Sequence, residues 1–151
     1  MKRILVLLTV FLTSGLILNA QTAEDSVKAV VTQFFDGMRN ADVNMVKNSF
    51  SDSAMLQTIV TNREGKTSVR NEPLSGFSDV IKQQQKGDLD ERIVFETIKI
   101  DGSMALAWTP YKFYYKGQFS HCGVNSFMLV KINGAWKIQY VIDTRRKQGC
   151  E

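Results

Sequence analysis

The chain has 151 residues, 44% of them hydrophobic and 23% charged, which is enough for one domain with a buried core. Its 19 basic and 15 acidic residues give a formal net charge of +4, and the clearest basic cluster is Arg145-Arg146-Lys147. Because no concentrated basic face is evident, these features exclude nucleic acid from the expected partners. We interpret the cluster as a solvated C-terminal edge, with an anion site as the alternative.

The first 20 residues have the layout of a secretory signal peptide. Met1-Lys2-Arg3 is positively charged, residues 4–12 are apolar, and Leu18-Asn19-Ala20 ends the segment before Gln21. The apolar run is shorter than the roughly 20 residues of a membrane span, and no cysteine follows it that could carry a lipid. The sequence therefore predicts a signal peptide over 1–20, a domain over 21–151, a periplasmic or secreted location and no stable membrane anchor.

Helical spacing dominates the first part of the predicted domain. Thr22 and Asp25 form an N-cap pattern for a long helix that continues to Asn40. The apolar face of this helix consists of Val27, Val30, Val31, Phe34, Phe35 and Met38. Asp42 can cap a second, short helix that reaches Phe50.

Strand patterns and one more helix follow. Residues 54–61 alternate as a strand, 62–71 predict a hairpin loop with a short strand around Val69, and a third helix over 75–86 ends at Gly87. Four runs rich in β-formers then predict a meander, and they cover residues 92–100, 104–115, 118–131 and 135–144. The predicted two-residue turns between them are Asp101-Gly102, Lys116-Gly117 and Asn133-Gly134.

Two-residue turns fix the register of a meander, so the faces of the sheet follow from residue numbers. Counting from the turns sets Lys112 against His121, Trp108 against Asn125, Phe127 against Tyr140, and Asn125 against Ile142. The face predicted to be concave and covered carries Trp108, Tyr114, His121, Asn125, Phe127, Leu129, Ile138, Tyr140 and Ile142. The more polar face, predicted to be solvated or a partner surface, carries Thr109, Tyr111, Cys122, Ser126, Lys137, Gln139 and Asp143.

The order of these elements predicts an α+β fold in which helices cover one face of a curved antiparallel sheet. The most distinctive segments are Trp108-Thr109-Pro110-Tyr111, Phe113-Tyr114, residues 119–123, Asn125, Phe127, Gly134, Trp136-Lys137-Ile138 and residues 143–146. With these segments the chain resembles the nuclear transport factor 2-like (SnoaL-like) superfamily and, within it, a group of small secreted bacterial proteins named putative lumazine-binding. The resemblance implies a cone-shaped roll with a cystatin-like topology that binds a small ligand.

The two cysteines, Cys122 and Cys150, would meet an oxidising compartment if the signal peptide is cleaved, which favours a disulfide. The predicted register sets Cys122 opposite Arg145, so the tail from Arg146 onward would have to fold back to join the sulfurs. Such a bridge would close a loop of about 28 residues and stabilise the fold by about 3 kcal/mol. The alternative is two separate thiols, with Cys122 packed in the sheet.

The predicted concave face supplies the candidate ligand-binding residues, which are Trp108, Tyr114, His121, Asn125, Phe127 and Tyr140. The aromatic members of this set, with Phe34 or Phe35, would form a lining that stacks a small flat aromatic ligand: Trp108, Tyr114, Phe127 and Tyr140. Ordinary core packing is the alternative for most of them. His121, the single histidine, could act as a general acid or base or donate a hydrogen bond, or it could be a structural strand residue. Asn125 could orient a polar ligand or satisfy nearby backbone groups.

Catalytic relatives in the superfamily, such as steroid isomerases and polyketide cyclases, place a carboxylate in the cavity. The candidates here are Asp36, Asp52 and Asp143, and the predicted register puts no carboxylate on the concave face. We therefore expect no catalysis, and His121 is the candidate catalytic residue if there is any. Pro110 removes a ladder donor, so we expect a bulge or a local break there, and a bulge could turn Tyr111 inward in place of Lys112.

No cofactor or metal is expected, because a single histidine, separated cysteines and the lack of a phosphate loop or nucleophile elbow offer no known site. Three functions are compatible with these features. The first is a secreted small-molecule-binding or accessory domain with an aromatic-lined cone. The others are an isomerase- or cyclase-like enzyme that uses His121 and a protein-interaction module with a filled pocket. We also expect a homodimer through the open sheet face, which would carry Thr109, Tyr111, Phe113, Tyr115, Val124, Ser126 and Met128.

Overall fold

The computed structural model describes residues 22–150, so the predicted signal peptide lies outside the described residues. Within this range the chain forms three helices and seven strands. The helices are α1 (Ala23–Asn40), α2 (Val43–Ser49) and α3 (Leu74–Lys82). The strands are β1 (Phe50–Thr61), β2 (Thr67–Glu72), β3 (Leu89–Ile93), β4 (Thr97–Asp101), β5 (Met104–Tyr115), β6 (Gln118–Ile132) and β7 (Ala135–Thr144). None of these helices has the length and apolar character needed to cross a bilayer.

All seven strands form one curved, unclosed sheet in the order β2-β1-β7-β6-β5-β3, with β4 also paired to β5. The pairing of β1 with β7 is parallel, whereas the other pairs are antiparallel. Apolar side chains of the helices and of the inner sheet face form one core, in which Phe127 packs edge-on against both Phe34 and Phe35. This is the predicted α+β arrangement.

The predicted caps of the first two helices are present. The Thr22 hydroxyl accepts a hydrogen bond from the Asp25 backbone N–H at 3.0 Å, and the Asp25 carboxylate accepts one from the Thr22 backbone. Asp42 accepts one from the Met45 N–H at 2.9 Å. The second helix ends at Ser49 and not at Phe50, because Phe50 already pairs with β7 as the first residue of β1.

The run predicted as the first meander strand is two strands, β3 and β4, separated by residues 94–96. Both pair with β5, and the Val94 N–H still donates to the Pro110 carbonyl at 2.9 Å. Pro110 has no backbone N–H and cannot donate a hydrogen bond back to Val94, so the antiparallel ladder is interrupted at this point. The break expected at Pro110 therefore lies in the facing strand, whereas β5 itself is continuous.

The third helix is shorter than predicted, and the second strand is longer. The helix ends at Lys82 because residues 83–88 form turns, and the Gly87 N–H donates to the carbonyl of Arg39 at 2.7 Å. Gly87 has φ +91°, a conformation that glycine adopts without strain. The loop predicted over 62–71 contains a full strand from Thr67, which pairs with β1.

Two β-bulges change the predicted register. Beyond the Lys116-Gly117 turn, Tyr114 pairs with Phe119 as predicted, but Phe113 then pairs with His121, which leaves Ser120 as an extra residue. On β7, Leu129 pairs with Ile138 as predicted, and Met128 then pairs with Tyr140, so Gln139 is the second extra residue. Beyond the bulges the true pairs are Lys112–Cys122, Trp108–Ser126, Thr109–Asn125, Phe127–Val141 and Asn125–Asp143.

A shift of one residue moves every affected side chain to the other face, so part of the predicted concave face is wrong. Trp108, Tyr114, Tyr140 and Ile142 lie on the outer face, and Trp108 is 41% exposed. Thr109, Tyr111 and Asp143 lie on the inner face instead and are buried. His121, Asn125, Phe127, Leu129 and Ile138 have the predicted inward orientation. Tyr111 faces inward, which is the orientation that a bulge was expected to give it. The bulge, however, is at Ser120 and not at Pro110.

Candidate functional site

A cavity of about 320 Å³ lies between the helices and the inner face of the sheet. Its walls are mainly apolar and consist of Phe34, Phe35 and Met38 from α1, Phe77 and Val80 from α3, and Leu56, Leu89, Phe113 and Val141 from the sheet. Its polar lining consists of Gln57, Thr58, Arg70, Glu72, Glu91, His121, Asn125, Asp143 and Arg145. Apolar walls with a few convergent polar groups are typical of small-molecule sites.

Glu91 is brought into the cavity by the alternation of β3, in which Leu89, Glu91 and Ile93 face inward. Its Oε1 accepts a hydrogen bond from Asn125 Nδ2 at 2.8 Å. Loss of hydration raises the pKa of Glu91 to about 7, and the nearby Asp143 carboxylate adds to this, whereas the Asn125 hydrogen bond and Arg145 oppose it. At neutral pH this carboxyl therefore exists in both its protonated and its ionised form.

Asp143 is the centre of a second polar group, which we call the Asp143 cluster and which comprises Thr58, Tyr111, Asp143 and Arg145. The Asp143 carboxylate accepts hydrogen bonds from the Thr58 hydroxyl at 2.7 Å, from Arg145 Nε at 2.8 Å and from the Tyr111 hydroxyl at 3.2 Å. Arg145 also donates to the Thr58 hydroxyl at 3.2 Å. Three strands and the residue after β7 are thus joined at one carboxylate, both of whose oxygens accept hydrogen bonds from the protein itself.

Gly123 makes this cluster possible. It lies opposite Tyr111, whose single hydroxyl proton is shared between the Asp143 carboxylate and the Thr144 carbonyl, the latter 2.9 Å away. A Cβ atom at position 123 would overlap that carbonyl and lie 2.8 Å from the Tyr111 ring. Only glycine leaves room for the end of β7 and the Tyr111 ring to approach β6 this closely. Burial, with the Asp143 and Glu91 charges, raises the pKa of Tyr111, which therefore stays protonated as a donor.

His121 lines the cavity beside Phe113 and Tyr111, with ring centroids 5.0 and 5.7 Å away. Its Nδ1 lies 3.0 Å from the hydroxyl of Ser120, the bulged residue. Burial lowers the pKa of His121, and the Arg145 charge adds to this effect while Asp143 opposes it. The imidazole is therefore mainly neutral at pH 7 and can both donate and accept a hydrogen bond.

Of the six candidate ligand-binding residues, the structure brings two to the cavity, His121 and Asn125. Phe127 is fully buried in the core behind the cavity wall. The remaining three face elsewhere: Trp108 is exposed, Tyr114 stacks 4.2 Å from the guanidinium of Arg92, and Tyr140 donates to Gln57 Oε1 at 2.6 Å.

The prediction that no carboxylate lies on the concave face is wrong, because Glu91 and Asp143 both line the cavity. Asp143 was assigned to the outer face, and the Gln139 bulge turns it inward. The alternation of Leu89, Glu91 and Ile93 was a usable signal for Glu91, but the strand was predicted to begin at Arg92. Neither Asp36 nor Asp52 lines the cavity, and Asp36 instead binds Arg39 at 3.1 Å.

The C-terminal segment is held to the outer face of β6 by a disulfide between Cys122 and Cys150. Cys122 exchanges two backbone hydrogen bonds with Arg146, at 2.8 and 2.9 Å, and not with Arg145 as predicted. The Gln139 bulge accounts for this shift of one residue. Arg145 consequently points to the Asp143 carboxylate, so the basic cluster is only partly the solvated edge that the sequence indicated.

Metal ligands do not cluster in the part of the chain that the structure describes, where no three His, Cys, Asp or Glu side chains come together.

The family model described as putative lumazine-binding matches residues 22–140. The chain belongs to this family, and its fold is that of the nuclear transport factor 2-like superfamily. No curated protein matches the sequence.

Solved structures support the same fold at low sequence identity. An NTF2-like protein of unknown function from Shewanella baltica is 19% identical, with a TM-score of 0.64 over 83% of this chain and 94% of its own. One from Methylobacillus flagellatus is 17% identical, with a TM-score of 0.63 over 82% and 91%. A protein of unknown function with a cystatin-like fold from Nostoc punctiforme is 13% identical, with a TM-score of 0.65 over 84% and 95%.

Proposed function

We propose that this chain is a periplasmic or secreted small-molecule-binding domain and that its ligand occupies the cavity without being chemically changed. The observation that carries the proposal is the cavity itself, in which apolar walls surround polar groups that converge on one volume. The family's name, which refers to lumazine binding, supports a small heterocyclic ligand. The open volume of about 320 Å³ counts against an interaction module whose pocket is filled by its own side chains.

The proposed location rests on two features of the chain. Residues 1–20 have the charge and apolar pattern of a signal peptide, and a structural disulfide fits an oxidising compartment. Intact-mass measurement of exported protein should give an N-terminus at Gln21 or within a few residues of it. A mature protein that retains Met1 would overturn the location.

Ligand binding is tested by thermal unfolding against a panel of flat heteroaromatic and steroid-like compounds. A compound that binds only the native state raises the melting temperature. The shift should shrink in Asn125→Ala, because Asn125 lines the cavity, and should persist in Asn44→Ala, which changes an exposed asparagine on α2. If no compound stabilises the wild-type protein, the binding proposal is wrong.

A second candidate is an isomerase- or cyclase-like enzyme that moves a proton on its ligand. The observation that favours it is Glu91, a carboxyl with a pKa of about 7 in the same cavity as a neutral His121. General bases function best when their pKa lies near the working pH. In heavy water, the wild-type protein should accelerate exchange of the α-protons of cyclic ketones, as followed by NMR, and Glu91→Gln should not. An exchange rate with the wild-type protein that equals the rate without protein contradicts this function.

We further propose that a second copy of the chain covers the outer face of the sheet. Four of the residues predicted for this surface, Thr109, Tyr111, Phe113 and Tyr115, belong to the inward alternation of β5, whereas Val124, Ser126 and Met128 lie on the outer face as predicted. The outer face also carries Met55, Met104, Leu106, Trp108 and Ile142. Several of these are exposed, among them Met55, Met104 and Trp108. A face of this kind can pair with itself about a two-fold axis. Sedimentation should give twice the monomer mass, and Trp108→Glu should give a monomer; a wild-type monomer that persists on concentration overturns the proposal.

A further inference from the structure

We propose that the ligand of this cavity is a planar organic cation whose charged N–H group binds Glu91 while its ring packs among the surrounding phenylalanines. This inference rests on the proposed binding function and narrows the ligand to one chemical class. It follows from the charges of the cavity, the free hydrogen-bonding capacity of Glu91 and the composition of the walls.

The charged groups of the cavity pair with one another except for one carboxyl. Asp143 binds Arg145 at 2.8 Å, and Glu72 lies 3.9 Å from Arg70. Within residues 22–150, Glu91 forms no salt bridge, and its side-chain partner is the neutral amide of Asn125. His121, the remaining titratable lining residue, is mainly neutral at pH 7 because burial lowers its pKa. The cavity thus has an excess of one carboxyl, which a cationic ligand would balance.

Glu91 also has an acceptor available for such a ligand. Its Oε1 accepts the hydrogen bond from Asn125, whereas Oε2 accepts none from the residues that the structure describes. An ionised carboxylate can accept at both oxygens. A ligand N–H that donates to Oε2 would therefore complete a site that Asn125 already orients, and hydrogen bonds between ionised partners are stronger than neutral ones.

The walls suit the flat, charged character of this ligand. Phe34, Phe35, Phe77 and Phe113 all line the cavity, and the Phe34 ring lies 4.8 Å from Phe35 and 5.9 Å from Phe77 between centroids. The face of an aromatic ring is electron-rich and attracts a cation within about 6 Å. Phenylalanine also lacks a hydroxyl, so these rings do not compete with Glu91 for the donor of the ligand.

The proposal has a definite pH dependence. A cation binds the ionised form of Glu91, so its affinity should rise as the pH increases through the pKa of about 7. A neutral ligand that accepts a hydrogen bond from protonated Glu91 would show the opposite trend. The other charged groups around the cavity are Arg70, Glu72, Asp143 and Arg145, and they are already paired; protonation of His121 at lower pH would repel a cation and so acts in the same direction.

The test compares two probes of nearly the same shape by isothermal titration calorimetry. One is 4-aminoquinoline, whose ring nitrogen is protonated at neutral pH, and the other is 1-naphthylamine, which is neutral there. We expect the cation to bind at least about tenfold more tightly at pH 8, and its affinity to rise about tenfold between pH 6 and pH 8. Binding at pH 7 should release about half a proton from Glu91.

Two matched variants locate the effect. Glu91→Gln keeps an acceptor for Asn125 and should weaken the cation about 10- to 100-fold while removing most of the rise with pH, which leaves only the small contribution of His121. Glu96→Gln changes an exposed glutamate just after β3 and should change neither. If 1-naphthylamine binds equally well, or tighter at low pH, the cation proposal fails while the binding function stands. If neither these probes nor the wider panel bind, both proposals fail.

Discussion

Asn125 and Glu91 are joined by a 2.8 Å hydrogen bond although their strands, β6 and β3, are not neighbours. Strand β5 lies between them, so the bond spans the inner face of the sheet above β5. This geometry depends on the Ser120 bulge, which sets Asn125 on the same face as Phe113, the strand partner of Glu91. The polar end of the cavity is therefore built across three strands.

Replacement of Asn125 by alanine should raise the pKa of Glu91 further, because the lost hydrogen bond favours the ionised carboxylate. The variant should also lose about 1 to 3 kcal/mol of stability, since the half-buried Glu91 carboxyl loses its hydrogen-bond donor. The Glu91 titration can be followed by carbon NMR of its carboxyl group in both proteins. An unchanged titration midpoint would contradict the assigned role of Asn125.

Glu91→Gln should stabilise the protein at high pH. The pKa of Glu91 is raised from 4.5 to about 7, so the native state binds this proton more tightly than the unfolded state, and stability falls as the pH rises between those values. The loss is on the order of 3 kcal/mol above pH 7. Glutamine has no such loss, so the variant should equal the wild type near pH 4 and exceed it near pH 8 in urea unfolding.

The control for that measurement is Glu96→Gln, which should follow the wild-type stability at every pH. His121 contributes the opposite slope, because its lowered pKa reduces stability as the pH falls through about 6.5. This slope is common to all three proteins and cancels in their differences. A Glu91→Gln difference that is independent of pH would show that the carboxyl titrates normally.

Gly123→Ala should strongly destabilise the fold. The new methyl group would overlap the Thr144 carbonyl and press on the Tyr111 ring, so the end of β7 would have to move away from the cavity. We expect a loss of about 2 kcal/mol or more. Gly76→Ala, on α3, is the matched control, because its methyl group meets only a flexible Glu72 oxygen at 3.4 Å and helix propensity favours alanine. Equal melting temperatures for the two variants would contradict this account.

Removal of the Cys122–Cys150 bridge in a double serine variant should cost about 3 kcal/mol in urea unfolding, because the bridge closes a loop of 28 residues. The segment it anchors carries Arg145, so amide hydrogen exchange should accelerate over residues 144–150 before the rest of β7. Stability equal to the wild type would mean that the backbone pairing of Cys122 with Arg146 is sufficient to hold the segment.

Local sequence signals predicted the parts of the fold that local chemistry decides. The Thr22 and Asp42 caps and the Lys116-Gly117 and Asn133-Gly134 turns lie where their residues indicated. The bulges could not be predicted this way, because they depend on distant partners. Gln139, the extra residue of β7, accepts from Ser51 at 2.7 Å and donates to the Ser53 carbonyl at 3.0 Å, where the register of β1 is also irregular.

The dependence of the bulges on distant partners also explains which residues of the site were predicted on the correct face. His121 and Asn125 were predicted correctly to face inward. The two bulges reverse the predicted orientation of residues on β5 and β7, but these two residues of β6 keep theirs. Trp108 and Asp143 lie beyond a bulge, so both were assigned to the wrong face. Glu91 was missed for a different reason: the strand was predicted to begin at Arg92, whereas β3 begins at Leu89.

The parallel pairing of β1 with β7 sets the order in which this molecule can be completed. Strand β1 begins at Phe50, whereas β7, its parallel neighbour toward the centre of the sheet, begins only at Ala135. A ribosome makes the chain from its amino terminus, so the central ladder cannot form until nearly the whole chain has been synthesised. Thr58 and Asp143, on opposite sides of that ladder, cannot meet before β7 has been synthesised, so the polar end of the cavity needs nearly the whole chain.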